Sequence, residues 1–183
     1  MMGDRKVSIF SVIVLIVALS GLGVGAYSLY NYQQIISQVE PPKSLARVYL
    51  ASSYAISGMG WILVNFDVID YDITDDFNIT SDRFICPTSG YYLISAMLMY
   101  SIMYDGESIF LAAFREGILE AGSAAHASHT SSLSTSFTDI VFLNEGDYVE
   151  LRTLHSGSTV RTIEGSSVGT YTYFTIAATD ILN

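Results

Sequence analysis

A stretch of 24 residues without a single charge, Val7 to Tyr30, most constrains what this chain can fold into. It exceeds the roughly 20 apolar residues that an α-helix needs to cross a bilayer. Arg5 and Lys6 precede it and no Lys or Arg follows before Lys43, so the positive-inside rule keeps the N-terminus in the cytosol. We therefore predict a cytosolic tail at residues 1–6, a single transmembrane signal-anchor helix at 7–30, and a C-terminal part outside the cell membrane.

The same segment also has the features of a cleaved secretory signal. Arg5 and Lys6 form a basic start, Ile9 to Leu19 an apolar centre, and Val24-Gly25-Ala26 a small-residue cleavage site. With either interpretation, the rest of the chain leaves the cytosol. The two differ in whether the mature protein is anchored in the membrane or secreted.

A polar linker separates this segment from the rest of the chain. Residues 31–46 contain the sequence Glu40-Pro41-Pro42-Lys43. Proline has no amide donor and clashes with the preceding helical turn, so a helix cannot continue through it. We place the start of an exported domain at residue 47 and extend this domain to 183.

Charge and cysteine content limit what that domain can be. The chain has 8 Lys plus Arg against 18 Asp plus Glu, a net charge of −10. Nucleic-acid binding draws its affinity from clustered cations, so we exclude a nucleic-acid partner. Cys86 is the lone cysteine and cannot close an intramolecular disulfide, so packing or oligomerisation must stabilise the domain.

The exported domain has the pattern of many short antiparallel strands. Runs of β-branched and aromatic residues alternate with Gly, Pro, Asp or Ser about every ten positions, which is typical of a β-sandwich or jelly roll. The nine predicted strands are 47–54, 60–66, 83–86, 90–104, 108–115, 132–143, 148–154, 160–164 and 170–178. The fold class that follows is all-β.

Turn residues support the hairpins between these strands. Asp105-Gly106 and Glu116-Gly117 supply the residue with φ > 0 that a tight hairpin requires. Pro87-Thr88-Ser89-Gly90 joins two strands, with proline where no donor is needed. We expect Gly90 to have φ > 0 and expect a β-branched residue there to be destabilising.

Three motifs resemble the globular heads of complement component 1q. They are Phe84-x-Cys86-Pro87-x-x-Gly90-x-Tyr92, the strand and hairpin Phe110 to Gly117, and Leu143-Asn144-Glu145-Gly146-Asp147-Tyr148-Val149-Glu150-Leu151. They occur in the family order, and the resemblance covers roughly Val48 to Leu182. Tyr171 to Ile176 is similar to the closing Phe-Ser-Gly strand of that family but has Ile176 in place of glycine.

The resemblance implies a ten-stranded jelly-roll sandwich related to tumour necrosis factor, assembled as a homotrimer through aromatic and aliphatic residues of one sheet. The run Ala96 to Tyr100 supports association independently, because it is apolar at consecutive positions and both faces of its sheet therefore favour burial. We predict that Tyr92, Met97, Tyr100 and Tyr173 line the interface. The alternative is a second face that is only partly covered.

A search for catalytic motifs finds no nucleophile elbow, zinc-protease helix, phosphate loop or dinucleotide fingerprint. We predict no catalytic residues and no enzyme activity. His126 and His129 form a His-x-x-His pair in a small, hydroxyl-rich stretch, Gly122 to Ser134, that is typical of an exposed loop or edge. As zinc ligands they would need His155 or a carboxylate from elsewhere.

An acidic segment is the other candidate ligand site. Asp70, Asp72, Asp75 and Asp76 crowd one segment, where carboxylates repel unless a cation or a base neutralises them. Calcium is the cation such oxygen-rich loops take outside the cell, and no other cofactor is predicted; the alternative is a solvated acidic loop. Asn78-Ile79-Thr80 is a glycosylation acceptor if the host glycosylates exported proteins.

These observations favour a membrane-tethered, non-catalytic, homotrimeric recognition or adhesion head that binds an extracellular protein or glycan through its loops. A structural subunit of a surface coat or filament is the first alternative. A hydrolase built on a β-sandwich is the second, because catalytic groups on such a scaffold need leave no sequence motif.

Overall fold

The computed structural model describes residues 43–58 and 60–179, and this part of the chain consists of strands joined by turns and loops. The strands are β1 (Leu45–Tyr49), β2 (Tyr54–Ile56), β3 (Ile62–Leu63), β4 (Val68–Asp72), β5 (Phe77–Asn78), β6 (Arg83–Ile85), β7 (Gly90–Met103), β8 (Ser108–Arg115), β9 (Ile118–His126), β10 (Ser131–Leu143), β11 (Tyr148–His155), β12 (Arg161–Ile163) and β13 (Tyr173–Ala178). They form two antiparallel sheets packed as a sandwich, which confirms the predicted all-β fold class.

The predicted transmembrane segment, 7–30, lies outside the described residues. In the part that the structure describes, no helix is long and apolar enough to cross a membrane. The bilayer prediction therefore depends on the sequence alone.

The longest strand, β7, is the centre of a seven-stranded sheet. Strand β10 pairs with it along one edge, from Leu143 opposite Gly90 to Ser131 opposite Met103. On its other edge β13 pairs with the first half and β12 with Tyr100, and β1 and β4 follow outward from β13. Every described strand of this sheet is thus aligned, directly or through a neighbour, by the register of β7.

The second sheet has six strands in the order β5-β6-β11-β8-β9, with β3 paired to the end of β11. Its edge strand β9 pairs with β8. We predicted Gly122 to Ser134 as an exposed loop or edge, and the structure divides it between the edge strand β9, a loop at 127–130 and the start of β10.

Alternation of side chains along the strands fills the space between the sheets. Tyr92, Ile94, Ala96, Leu98 and Tyr100 of β7 are all buried and point inward. They meet Phe84, Ile109, Leu111, Val149 and Leu151 of the second sheet, which are also buried. Because the period of a strand is two, the residues between them must point out of the sandwich.

The two hairpin turns have the backbone conformation that the sequence predicts, but the turn before β7 does not. Gly106 has φ 85°, and Glu116 and Gly117 have φ 49° and 78°, as the tight turns require. Gly90 is not among the residues with positive φ, and it begins β7 as an ordinary strand residue. The prediction that Gly90 requires a left-handed conformation is therefore wrong.

Gly169 is a glycine at which a β-branched residue should be destabilising. It has φ 65°, and a Cβ there would lie 2.8 Å from Cγ of Tyr49 and 3.1 Å from Nη1 of Arg47. Gly169→Val should lower the free energy of unfolding by about 1–3 kcal/mol. The melting temperature should fall by roughly 2–4 °C for each kcal/mol.

Gly90→Val is the matched control for thermal unfolding followed by circular dichroism. No atom lies within 4 Å of a Cβ placed on Gly90. The control should leave the melting temperature unchanged. Equal melting temperatures for Gly169→Val and the parent protein would contradict the strained geometry at Gly169.

Candidate recognition surface

The outward side of the seven-stranded sheet carries two groups of apolar side chains, called here together the apolar face, on either side of a polar row formed by Thr138, Ser95 and Thr175. Its members alternate with the core residues of the same strands: Tyr49, Tyr91, Leu93, Met97, Met99, Ile140, Phe142 and Tyr173. The registers place Phe142 opposite Tyr91 and Ile140 opposite Leu93, so these side chains touch across the strands. Leu93, Ile140 and Phe142 are 37%, 44% and 46% exposed, so the patch is open to a partner.

The one arginine on this face is fully engaged. Arg47 lies over the rings of Tyr49 and Tyr173, at 5.8 and 5.1 Å from their centroids. Its Nη1 donates to a carboxylate oxygen of Asp70 at 2.6 Å, and its Nη2 donates to the carbonyl of Gly169 at 2.7 Å. The pair with Asp70 neutralises its charge, so the surface presents no net charge at this point.

The four predicted interface residues divide between the two sides of the sheet. Met97 and Tyr173 lie opposite each other on the apolar face, half-buried. Tyr92 and Tyr100 lie inside the protomer's own core, so their placement at an interface is wrong. Within 96–100 alone, periodicity cannot tell which alternate set points inward, but Ser95 and Ser101 at the flanking odd positions mark the odd set as outward.

Both core tyrosines satisfy their hydroxyl groups within the protomer. The Tyr92 hydroxyl donates to the carbonyl of Thr88 at 2.8 Å, and the Tyr100 hydroxyl lies 3.0 Å from Oγ1 of Thr153. Burial raises the pKa of Tyr92 to about 12 and raises the pKa of Tyr100 as well. These groups therefore stabilise the fold and offer nothing to a partner.

The candidate calcium ligands already have partners within the protein. Asp70 binds Arg47, the carboxylate of Asp72 accepts the amides of Asp76 and Phe77, and Asp76 accepts the hydroxyls of Ser44 and Thr74. Asp75 is exposed and has φ 59°. Among residues 43–58 and 60–179, no three acidic, histidine or cysteine residues converge as metal ligands do. Calcium binding here stays a prediction of the sequence alone.

Asn78, the candidate glycosylation site, is exposed on β5. Its Oδ1 accepts the amides of Thr80 and Ser81, at 2.9 and 3.1 Å. Exposure is what an acceptor asparagine needs, and its modification stays a prediction.

The three histidines lie in different environments. His126, at the end of β9, has Nδ1 3.0 Å from the hydroxyl of Ser108, and His129 is exposed in the following loop. His155 is 1% exposed, and its ring packs edge-on against Tyr100 with centroids 5.7 Å apart. The structure does not bring His155 to the His126–His129 pair as a shared zinc site would require.

His155 is a buried titratable group that no hydrogen bond of normal geometry satisfies at either ring nitrogen. Burial lowers its pKa, and the charge of Arg161 lowers it further. The backbone at Ile56 and Gly157 and the carboxylate of Glu107 act in the opposite direction and only partly offset this. The ring is therefore neutral in the folded protein, and its protonation works against the fold.

Acid should destabilise the domain through His155. In the unfolded chain the imidazole has its ordinary pKa of about 6.5, whereas in the folded chain the pKa is lower. The stabilising difference is present above about pH 6.5 and is lost as pH falls from there through the folded pKa, because the unfolded chain then binds the extra proton. Each unit of difference is worth about 1.4 kcal/mol.

Melting temperatures between pH 7.5 and 4.5 test this. This pH range covers roughly the interval over which histidine changes its charge. His155→Phe keeps a ring against Tyr100, and its melting temperature should fall less on acidification than that of the parent protein. His126→Gln, at an exposed histidine, should retain the parent's full loss. Identical acid profiles for His155→Phe and the parent would contradict the role of His155.

A second surface, on the outward side of the six-stranded sheet, combines charge and aromatic rings. Glu150 is 1% exposed and lies between two guanidinium groups: Arg83 Nε donates to Oε2 at 2.8 Å, and Arg152 Nε donates to Oε1 at 2.7 Å. The Cζ atom of Arg83 lies 4.1 Å from the ring centroid of Tyr148, and that of Arg152 lies 4.8 Å from the ring centroid of Phe114. We call Arg83, Glu150, Arg152, Tyr148, Phe114 and Trp61 the cationic cluster.

Sequence reasoning missed the cationic cluster. Glu150 and Arg152 are two residues apart on a predicted strand, so the sequence could have placed their side chains on the same side of the sheet. Arg83 is 67 residues from Glu150 along the chain, and it joins the cluster through the pairing of β6 with β11. A single sequence carries no signal for that pairing.

Comparison with known proteins gives a family and a set of similar folds. A family model described as C1q domain matches residues 50–175. A search among curated proteins finds no sequence match.

Three solved structures share the fold at low identity. They are the Eiger tumour necrosis factor of S. frugiperda (TM-score 0.59, 12% identity, 78% of this chain and 96% of that one), the globular domain of zebrafish complement 1qA protein (0.54, 16%, 75% and 97%), and murine APRIL at pH 5.0 (0.58, 12%, 75% and 100%). At these identities the likeness concerns the fold.

Proposed function

This chain belongs to the C1q domain family, and we propose that it is a membrane-tethered, non-catalytic recognition head that assembles as a homotrimer outside the cell. The single observation that carries the proposal is the apolar face. The recognition head binds an extracellular protein or glycan. Its transmembrane tether is the charge-free segment 7–30.

The position of the apolar face supports assembly through the seven-stranded sheet. Its large side chains lie on four strands, β1, β13, β7 and β10, in one group on each side of the polar row at Ser95. A monomer would leave this whole surface in water, although soluble proteins seldom expose contiguous apolar patches of that kind. Neighbouring copies of the same chain provide a matching apolar surface, and the family resemblance supplies three-fold symmetry.

The trimer predicts a specific effect of a charge on the apolar face. Ile140→Asp places a carboxylate where we expect an intersubunit contact, and burying an unpaired charge is strongly unfavourable. The dissociation constant of the trimer should rise at least about 100-fold, which corresponds to about 2.7 kcal/mol. Sedimentation of the full chain in density-matched detergent at micromolar concentration measures this.

Ile118→Asp is the matched control, because Ile118 is 67% exposed on the β8–β9 hairpin, away from the apolar face. It should leave the trimer intact. The parent protein's melting temperature should also rise with protein concentration, since folded chains are joined and unfolded chains are separate. A monomeric parent chain would refute the trimer, and open-ended polymers would favour a coat or filament subunit.

The membrane tether predicts how the full chain fractionates. If residues 7–30 cross the bilayer, the intact protein should stay with the membrane pellet after alkaline carbonate extraction, and an epitope placed after Asn183 should be accessible from outside the cell. Replacing Leu15 and Val17 with Lys, which puts two charges into the apolar segment, should release the protein from the pellet. Recovery of the intact parent chain in the soluble fraction would exclude the tether.

A further inference from the structure

The cationic cluster carries a positive charge that its own residues do not balance. Two guanidinium groups, Arg83 and Arg152, share one carboxylate, Glu150, and each of the two carboxylate oxygens already accepts from one of them. Within the part of the chain that the structure describes, the terminal N–H groups of Arg83 donate to no protein acceptor. The cluster's own residues thus sum to one positive charge in a protein of net charge −10.

Of the neighbouring carboxylates, Glu116 offsets part of this charge, but within the described residues none accepts from the terminal N–H groups of Arg83. Glu120 and Asp147 are paired with Arg115, at 2.6 and 3.8 Å. Glu116, at the hairpin, accepts the amide of Tyr148 and adds to the field that raises the pKa of Arg83. The hydrogen bond that Arg83 donates to Glu150 is the largest cause of that rise, so Arg83 stays charged.

Aromatic rings hold the two arginines in place. Arg83 lies on Tyr148 and Arg152 on Phe114, and Trp61 packs edge-on against Phe114 with centroids 5.1 Å apart. A guanidinium that is already fixed by a ring and a carboxylate loses little conformational entropy when it binds a further group. Its planar fork matches a carboxylate through two parallel hydrogen bonds.

Apolar side chains surround this charged centre on a surface formed by strands. Trp61, Ile85 and Phe110 are exposed around the two arginines, whose side chains keep about one third of their surface in water. Tryptophan, tyrosine and arginine are the residues that dominate binding energy at protein–protein interfaces. An open sheet surface of this composition suits a protein surface better than an enclosed small molecule.

We propose that the outward side of the six-stranded sheet, centred on Arg83 and Arg152, is a docking surface for a partner protein that presents an acidic side chain flanked by apolar residues. The partner's carboxylate pairs with the unused N–H groups of Arg83, and its apolar residues cover Trp61 and Ile85. This inference deepens the proposed function by naming the chemistry of the partner. It rests on the proposed function, because the trimer buries the apolar face and leaves the six-stranded sheet accessible to a partner.

Binding of the full chain in detergent to a random copolymer of glutamate and tyrosine tests the inference. The parent protein should bind this acidic, aromatic polypeptide, with an affinity that falls as salt rises. Arg83→Gln leaves Glu150 paired with Arg152, so the fold should persist while affinity falls at least about tenfold. Arg83→Lys keeps the charge without the planar fork and should give an intermediate loss.

Arg115→Gln is the matched control, because it removes the same charge from the same sheet at an arginine that Glu120 and Asp147 already neutralise. Its affinity should stay within about twofold of the parent's. Absent binding, or equal binding by the parent and Arg83→Gln, overturns the inference. Binding that depends on Arg83 but occurs only with vesicles containing phosphatidylserine, and not with the copolymer, overturns the protein partner as well.

Sedimentation of the same samples separates this inference from the proposed function. A trimeric parent that fails to bind the copolymer refutes the docking surface and leaves the trimeric head standing. A monomeric parent that binds the copolymer through Arg83 refutes the trimer and retains the docking surface.

Discussion

Alternation of side chains along β7 is the constraint on which the rest of the structure depends. This strand is fourteen residues long and pairs with β10, β13 and β12, so its register decides which residues of those strands face the core. A shift by one residue would exchange Tyr92 and Tyr100 for Leu93 and Met99 in the core. The hydroxyls of Tyr92 and Tyr100 resist that exchange, because their partners Thr88 and Thr153 lie on the inner side. Two hydrogen bonds thus add to the apolar pattern in selecting the register, since the outward set also contains Ser95 and Ser101.

The fold class followed from the sequence because turns and strand composition are local signals. All nine predicted strands overlap strands of the structure, and Gly106 and Gly117 have the positive φ that their hairpins require. The described residues form thirteen strands where the resemblance implied ten, and the thirteen include two-residue segments such as β3 and β5. Strands β4, β5 and β9 escaped prediction. Acidic, polar, Gly and Ala residues of low β propensity interrupt them, and long-range pairing holds them in place.

The candidate surfaces were less predictable, since each is assembled by pairing between distant segments. Met97 and Tyr173 lie on the outward side of the sheet, as the interface prediction requires, whereas Tyr92 and Tyr100 lie in the core, because the run 96–100 is apolar on both faces. The acidic residues stood out in the sequence, yet their carboxylates are engaged with Arg47, backbone amides and hydroxyls. The sequence showed that these carboxylates are close together, whereas their partners became visible only in the folded structure.

The two outward surfaces differ in what it costs to remove them from water. On the apolar face, Arg47 is already paired with Asp70 and stacked on two rings, so a neighbour that covers it strips little water from an unpaired charge. On the opposite sheet, covering Arg83 with an apolar surface would leave its terminal N–H groups buried and unsatisfied. The first surface therefore suits a second copy of an apolar sheet, and the second suits only a partner that brings a carboxylate. The proposed trimer and the proposed docking surface use this difference in desolvation, one on each sheet.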